Sequence, residues 1–460
     1  MKKKYHFIGI GGSGMSSLAY LAISLGHTVS GSDRSLDSAS KNNTLFKQLK
    51  KNEIKLFPQS GQGIKKNTST VIVSTAIEKN NPDLKEAKRL KIPIISRATF
   101  LAQAFNKSYG LAVAGTNGKT TVSGLLSFTL VKLKKDPSFI LGGKVKNYIR
   151  QGLKASASLG KSKIMVIEAD ESDSSINEYI PHIGIITNIS KDHQEISALL
   201  TLFSNFVKKC KDLIIINSDC PYLEKIKGLK KQPQLSFGIK KQADVKATQV
   251  KLYPFHSTFL VKDCLFKLNL PGKHNVYNSL AVITLLTYLK IPLKKIAPII
   301  SQFQGMHRRL EHLGEINKIT IIDDFAHNPE KIKASLLAAR KLGKRTIAIF
   351  QAHGFAPTHF LKKEYIDTFK DYLRNHDQLY MPEIYYVGGT VTVSISAKDL
   401  IKEIAKKRKN SFFIKKREEI VDKIIGIARS NDVVLVMGAR DPSLTSFAKS
   451  IKLKLKKKLA

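Results

Sequence analysis

The chain has 460 residues, 42% of them hydrophobic and 25% charged, the balance of a globular protein and too much chain for one ordinary core. Its formal net charge is +41, but the lysines are scattered through every segment rather than gathered in one stripe. That argues against a nucleic-acid partner and leaves a diffuse field suited to anionic substrates. Three irregularly spaced cysteines exclude a disulfide framework and a zinc site, and no apolar run of about 18 residues is present to span a membrane, so a cytoplasmic protein is expected.

In chain order, the basic start MKKK precedes an apolar stretch that glycines interrupt at once, with no small-residue cleavage site after it. It reads as a first strand rather than a signal peptide. Strand YHFIGI, turn GGSG, helix MSSLAYLAISLG and strand HTVSGSD come next, then strands STVIVSTA and IPIIS, with a boundary near Asn106-Lys107-Ser108. A second segment holds LAVAGTNGKTTV and strands IMVIEAD, IGIITNI and DLIIIN, an antiparallel region over 230–270, and a helix from HNVYNSLAVITLL. A third begins near Gly305, with strand ITIIDDF, helix PEKIKASLLAARKLG, strand TIAIFQA, strands around EIYYVGG and DVVLVMGA, and a tail read as the solvated end of a helix. Short apolar runs alternating with amphipathic helices predict α/β architecture with parallel sheets.

Two stretches carry phosphate-binding chemistry. Gly9-x-Gly11-x-x-Gly14 follows a strand and opens a helix, with Asp33 at the end of the second strand. A diphosphate at that helix N-terminus fits NAD, FAD or a UDP-sugar equally well. In GTNGKTT, Gly115 and Gly118 let the backbone fold around an anion, Lys119 can reach a terminal phosphate, and the Thr120 hydroxyl can sit on Mg²⁺. The usual pattern would place glycine at position 113, where this chain has Val113. Glu168 ends strand IMVIEAD, where an acid can face a metal held at the loop, amid the cluster Asp170, Glu171 and Asp173. Asp192 and His193 fit the same sheet edge. Asp323 and Asp324 end a strand, Asn328 and Pro329 suit the N-cap and first turn of a helix, and Arg308 and Arg309 can reach a nucleotide.

Together these stretches resemble the Mur ligase family. GIGGSGM is similar to a UDP-binding loop of that family and GTNGKTT to its compressed phosphate loop, which accounts for Val113. EADESD, TNISKDH, GKHNVYNSLA, GMHRRLE, DDFAHNP and FQAH come in family order. The resemblance implies three domains. They are a Rossmann-like UDP-sugar-binding domain over 1–106, an ATP-binding central domain with a P-loop-type mixed sheet over 107–304, and a Rossmann-like amino-acid-binding domain over 305–460. It implies ATP-driven amide synthesis through an acyl phosphate, for peptidoglycan precursors, with ATP and Mg²⁺ as cofactors. UDP-N-acetylmuramate and L-alanine would be the substrates and the enzyme a monomer or homodimer.

Carried onto this chain, the resemblance assigns Gly11, Gly12, Ser13, Gly14, Met15 and Asp33 to the UDP-sugar. Gly115, Thr116, Asn117, Gly118, Lys119, Thr120 and Thr121 fall to the ATP phosphates, with Lys119 on the transferred phosphoryl. Thr120 and Glu168 would hold a first Mg²⁺ and His193 a second. Asn275 and Asn278 would orient the nucleotide, Arg309 and Asp324 would reach it from the third domain, and His327 and His353 would line the amino-acid side. Alanine-adding members read GTHGKTT, FQPHR and DDYGHHP, where this chain has Asn117, Gly354 and Asn328. RRLE and DDFAH lean towards the branch that reattaches a recycled tripeptide, whereas EADESD and FQ-x-H lean towards alanine addition. An NAD-dependent dehydrogenase on the first fingerprint, and a nucleic-acid-binding protein with a degenerate ligase fold, are the readings from other classes.

Overall fold

Hydrophobic runs buried on both faces form the parallel strands, and helices of one-sided polarity cover them. The computed structural model describes residues 2–36, 44–74, 77–171, 175–191, 194–226, 228–229, 233–386, 395–441 and 443–459. Contacts divide the chain into two compact units, one made of Met1–Ile189, Ile196–Lys246 and Asn278–Gln304, the other of Ser190–Glu195, Ala247–Tyr277 and Gly305–Ala460.

The first unit opens with a parallel sheet of β1 (Lys4–Ile8), β2 (Thr28–Ser32), β3 (Lys55–Phe57), β4 (Thr70–Val73) and β5 (Ile94–Ser96), in the order β3-β2-β1-β4-β5. Asn106 ties the end of this sheet's segment to the next, its side-chain amide donating to Glu178 O at 3.0 Å and accepting from Ile180 N at 2.9 Å. A second sheet contains β6 (Tyr109–Ala114), β7 (Ser138–Ile140), β8 (Ala157–Ser158), β9 (Ile164–Glu168), β10 (Ile183–Ile186), β11 (Leu213–Asn217) and β12 (Gln234–Gly238). Their order is β12-β11-β10-β6-β9-β7-β8 and every pairing is parallel except β7 with β8. Strands β10 and β11 are buried throughout.

The expected antiparallel region is so only in part. Strand β13 (Val245–Leu252) begins parallel to β12, and its later residues pair antiparallel with β14 (Ser257–Val261), which pairs with β15 (Cys264–Leu268). The second unit's main sheet comprises β16 (Glu311–Ile316), β17 (Ile319–Asp324), β18 (Arg345–Gln351), β19 (Gln378–Met381), β20 (Ser411–Phe413) and β21 (Asp432–Gly438), in the order β16-β17-β21-β18-β19-β20. Only the β16–β17 hairpin is antiparallel.

One expected strand is misplaced. The strand lies upstream of EIYYVGG, at β19, and Tyr385 makes only an isolated bridge to His353. Pro382 has no amide to give a ladder. Glu383 then captures the Ile384 and Ala397 amides with its carboxylate, at 2.9 and 3.0 Å. Residues 387–394 lie outside the described residues. By contrast Asn328 and Pro329 behave as read: the Asn328 side chain accepts from Lys331 N at 2.9 Å and the helix Pro329–Ala339 starts there. The tail belongs to the helix Leu444–Leu459, which buries Leu444, Phe447, Ala448, Ile451 and Leu455 along one stripe.

His6, in the middle of β1, is wholly buried, with Nδ1 2.9 Å from Ser30 Oγ and Nε2 3.4 Å from Ser32 Oγ. Burial pushes its pKa down to about 4, from the 6.5 of an exposed ring. Between those values the unfolded chain takes up a proton that the folded chain refuses, so stability falls as the pH drops from about 6.5 to about 4. The shift amounts to roughly 3 kcal/mol at 1.36 kcal/mol per unit. Urea unfolding at pH 7 and at pH 4.5 is expected to show a smaller difference in His6→Gln than in the parent; equal differences would disprove the assignment.

Candidate active site

The phosphate loop begins later than a G-x-x-x-x-G pattern requires. Val113 is a fully buried strand residue, paired with Ile185 on one side and Glu168 on the other, and β6 runs on to Ala114. The turn is therefore residues 115–118, and the helix Lys119–Lys132 starts directly after it. Gly115 and Gly118 have φ of +120° and +91°. A Cβ at 115 would collide with the Thr187 hydroxyl, and one at 118 with the Asn278 amide oxygen, so both sites exclude a side chain on two counts.

Two residues from the end of β10 clamp this turn. Asn188 receives the Asn117 amide on its Oδ1 at 3.1 Å and returns its Nδ2 to the Asn117 carbonyl at 2.9 Å. The Thr187 hydroxyl donates to that same carbonyl at 2.6 Å, and Thr116 N reaches Asn188 O at 3.0 Å. The backbone of residue 117 is thus held at both its amide and its carbonyl. Sequence reading did not single out Thr187 or Asn188, although both lie inside TNISKDH.

Lys119 leads the helix. Its ammonium donates to Gly115 O at 2.8 Å and Glu171 Oε2 at 2.6 Å, with Asp170 Oδ1 at 3.7 Å. Burial works against its charge, but Glu171, Asp170 and Glu168 outweigh burial and raise its pKa, so Lys119 stays a cation. Burial also raises the Glu171 carboxyl, with Asp170 adding to the rise and Lys119 opposing it. Beside this pair, Glu168 Oε2 accepts from Thr120 Oγ1 at 2.9 Å, while Oε1 accepts from Ser123 Oγ at 3.1 Å and Gly142 N at 2.6 Å. A cation, a hydroxyl and two carboxylates thus gather at a helix N-terminus whose amides attract anions. Asn275 donates to Pro271 O at 2.7 Å, and Asn278, three residues on along the helix Lys273–Tyr288, packs on Gly118.

The remaining expected site residues are less concentrated. His193, with Asp173 and Asp192, lies outside the described residues, and only the backbone of Ser13 is described. Among the described residues no cluster of three or more His, Cys, Asp or Glu could hold a metal ion. At the first glycine turn, Asp33 Oδ2 accepts the Gly11 amide at 2.7 Å, while Oδ1 takes the Ser35 amide and hydroxyl at 3.1 and 2.6 Å. The acid shapes the loop that Gly11, Gly12, Gly14 and the buried Met15 share with the helix Ser13–Ser24.

In the second unit the C-terminal edge of the sheet carries the rest. Asp324 is buried, its carboxylate accepting from Leu310 N at 3.0 Å and from Ser335 Oγ, and burial raises its pKa. It braces the segment that bears Arg309, whose guanidinium lies over the Phe325 ring at 4.7 Å. His327 and His353 do come together, ring centroids 5.5 Å apart. Burial, with Lys331 and His353 nearby, holds the His327 ring neutral, well below the usual range. Arg308, buried, donates to Asp323 Oδ1 at 3.2 Å and Gly438 O at 2.9 Å. Arg417 and Asp441, which sequence reading passed over, form an ion pair nearby.

Known proteins resemble the chain along most of its length. Three family models match in succession: Mur ligase family, catalytic domain, over 4–109; Mur ligase middle domain over 113–286; and Mur ligase, glutamate ligase domain, over 308–440. The UDP-N-acetylmuramate–L-alanine ligase of Pelobacter propionicus is 34% identical over 457 residues, covering 95% of each chain. That of Geobacter sulfurreducens is 33% identical over 454 residues, again covering 95% of each. Among solved structures, the UDP-N-acetylmuramate–alanine ligase of Thermotoga maritima superposes with a TM-score of 0.80 at 26% identity, over 99% of both chains. A murein peptide ligase from Psychrobacter arcticus shares the fold, with a TM-score of 0.72 at 24% identity over 99% of this chain and 98% of that one.

Proposed function

The chain belongs to the Mur ligase family, and we propose that it joins L-alanine to the carboxylate of UDP-N-acetylmuramate with ATP as the energy source. The observation that carries this reading is the convergence of Lys119, Thr120 and Glu168 on the turn 115–118. Reduction of a nicotinamide would leave that group without a task. Residues 1–106 take the UDP-sugar, 107–304 the ATP and 305–460 the amino acid. No helix among the described residues is long and apolar enough to cross a membrane.

A carboxylate is a poor electrophile, so an oxygen of the muramyl carboxylate attacks the γ-phosphorus and ADP departs. The alanine amine then attacks the carbonyl carbon, its proton is lost to the medium, and inorganic phosphate leaves with the former carboxylate oxygen. Lys119 exchanges Glu171 for a γ-phosphate oxygen and tracks that charge through the transfer. The amides of 115–118, held by Thr187 and Asn188, cradle the polyphosphate. Thr120 and Glu168 fit Mg²⁺, because they set a hydroxyl and a carboxylate oxygen side by side, the ligands a hard cation takes. When bound, the cation screens the repulsion between the phosphates and the attacking carboxylate. Asn278 places the nucleotide from beside Gly118, and His327 and His353 serve the amino-acid side.

The test supplies ATP, Mg²⁺ and UDP-N-acetylmuramate with a panel of amines. L-Alanine is expected to give an amide product with ADP and phosphate in equal amounts. No amide with any amine would sink the ligase reading, and product only with the murein tripeptide would move the chain to the recycling branch.

A further inference from the structure

We infer that Arg440 supplies the guanidinium that grips the α-carboxylate of the incoming amino acid; this rests on the ligase reading above. Position 354, directly after His353, is Gly354 and offers no cation there. Its neighbour His353 stands two residues beyond Gln351, and Gln351 pairs with Gly438 at the C-terminal end of β21. Arg440 stands two residues beyond Gly438. The loops that bear His353 and Arg440 therefore start side by side, at the edge where open α/β sheets bind ligands.

The loop carrying Arg440 is built rather than slack. Arg308 donates to Gly438 O at 2.9 Å and Asp441 O at 3.4 Å, one bond on each side of Arg440. Asp441 is paired with Arg417 and takes the Ser443 amide and hydroxyl on its Oδ1 at 2.8 and 2.6 Å. Held this way, Arg440 has φ of +61°, a left-handed conformation that favours glycine. The loop thus presents a long cation at a position whose backbone alone would suit glycine. That side chain is exposed and makes no hydrogen bond or ion pair among the described residues. The acids at the ends of β17 and β21 are already engaged: Asp323 by Arg308 and Thr445, Asp324 by Leu310 N and Ser335, Asp441 by Arg417. A planar guanidinium matches a carboxylate through two parallel hydrogen bonds, and a free amino acid offers that carboxylate next to its amine. The tripeptide does not, since its first carboxyl is already an amide.

The experiment compares L-alanine with L-alaninamide in the parent, Arg440→Gly and Arg440→Lys. Glycine suits the local backbone, so Arg440→Gly keeps the fold, and a purely structural role would be unaffected or improved by it. The parent is expected to favour L-alanine strongly. Arg440→Gly should raise the KM for L-alanine on the order of 10- to 100-fold, leave the KM for ATP and for the nucleotide sugar within about twofold, and abolish the preference over alaninamide. Arg440→Lys should recover part of the preference. An unchanged KM for L-alanine in Arg440→Gly, or a parent that uses both amines equally, overturns the assignment. Absence of product with every amine would fail the ligase reading instead.

Discussion

Lys119→Met is expected to lower ATP-dependent amide formation by about 10²–10³-fold or more while the protein stays folded. Loss of one preorganised donor at a developing anion costs on that scale, about 2.7–4 kcal/mol. Here the lost group is also the sole cation described at the turn, drawn to Gly115 O and Glu171. Methionine keeps the length of the stem but leaves Glu171, which is 4% exposed, without its ion-pair partner. Burial already favours the protonated form of Glu171, so the carboxyl can neutralise instead of unfolding the site. Coupled measurement of ADP release, with a thermal melt as the control, checks this. Retention of more than a tenth of parent turnover would remove Lys119 from the chemistry. Glu171→Gln separates the two roles: it frees Lys119 from its competitor and should cost far less turnover than Lys119→Met.

Arg308→Ala carries the largest expected effect on stability, a loss of about 3–5 kcal/mol, because it strands a buried carboxylate. Asp323 is completely buried and faces Arg308 at 3.2 Å, with Thr445 Oγ1 at 2.7 Å on its other oxygen. Removing the guanidinium also strips hydrogen bonds from the carbonyls of Gly438 and Asp441. At roughly 2–4 °C per kcal/mol, the midpoint of thermal unfolding should fall by about 6–20 °C. The paired change Arg308→Met with Asp323→Leu should recover much of this, since two apolar groups leave no charge unpaired. A melt within about 2 °C of the parent for Arg308→Ala would show that the pair contributes nothing. The same variant should weaken amine binding, because the loop bearing Arg440 loses its brace.

The sequence alone determined what is local. Alternating apolar runs and helices specify an α/β chain, because burial on both faces demands continuous hydrophobic strands. Gly118 beside Lys119 specifies a tight turn into a helix, and Asn328-Pro329 a helix start, because these depend on a few neighbouring residues. The motif order also carried the family. Partnerships set by strand order and register were settled by the tertiary structure. Glu171 lies 52 residues from the lysine it binds, and Gly438 lies 130 from Arg308. The antiparallel start expected of β13 and the strand expected at EIYYVGG failed for the same reason: pairing depends on which partner the sheet presents, and Pro382 and Glu383 divert the backbone. The loops after β18 and β21 start side by side only because β18 lies beside β21, a fact of strand order that no spacing along the chain contains.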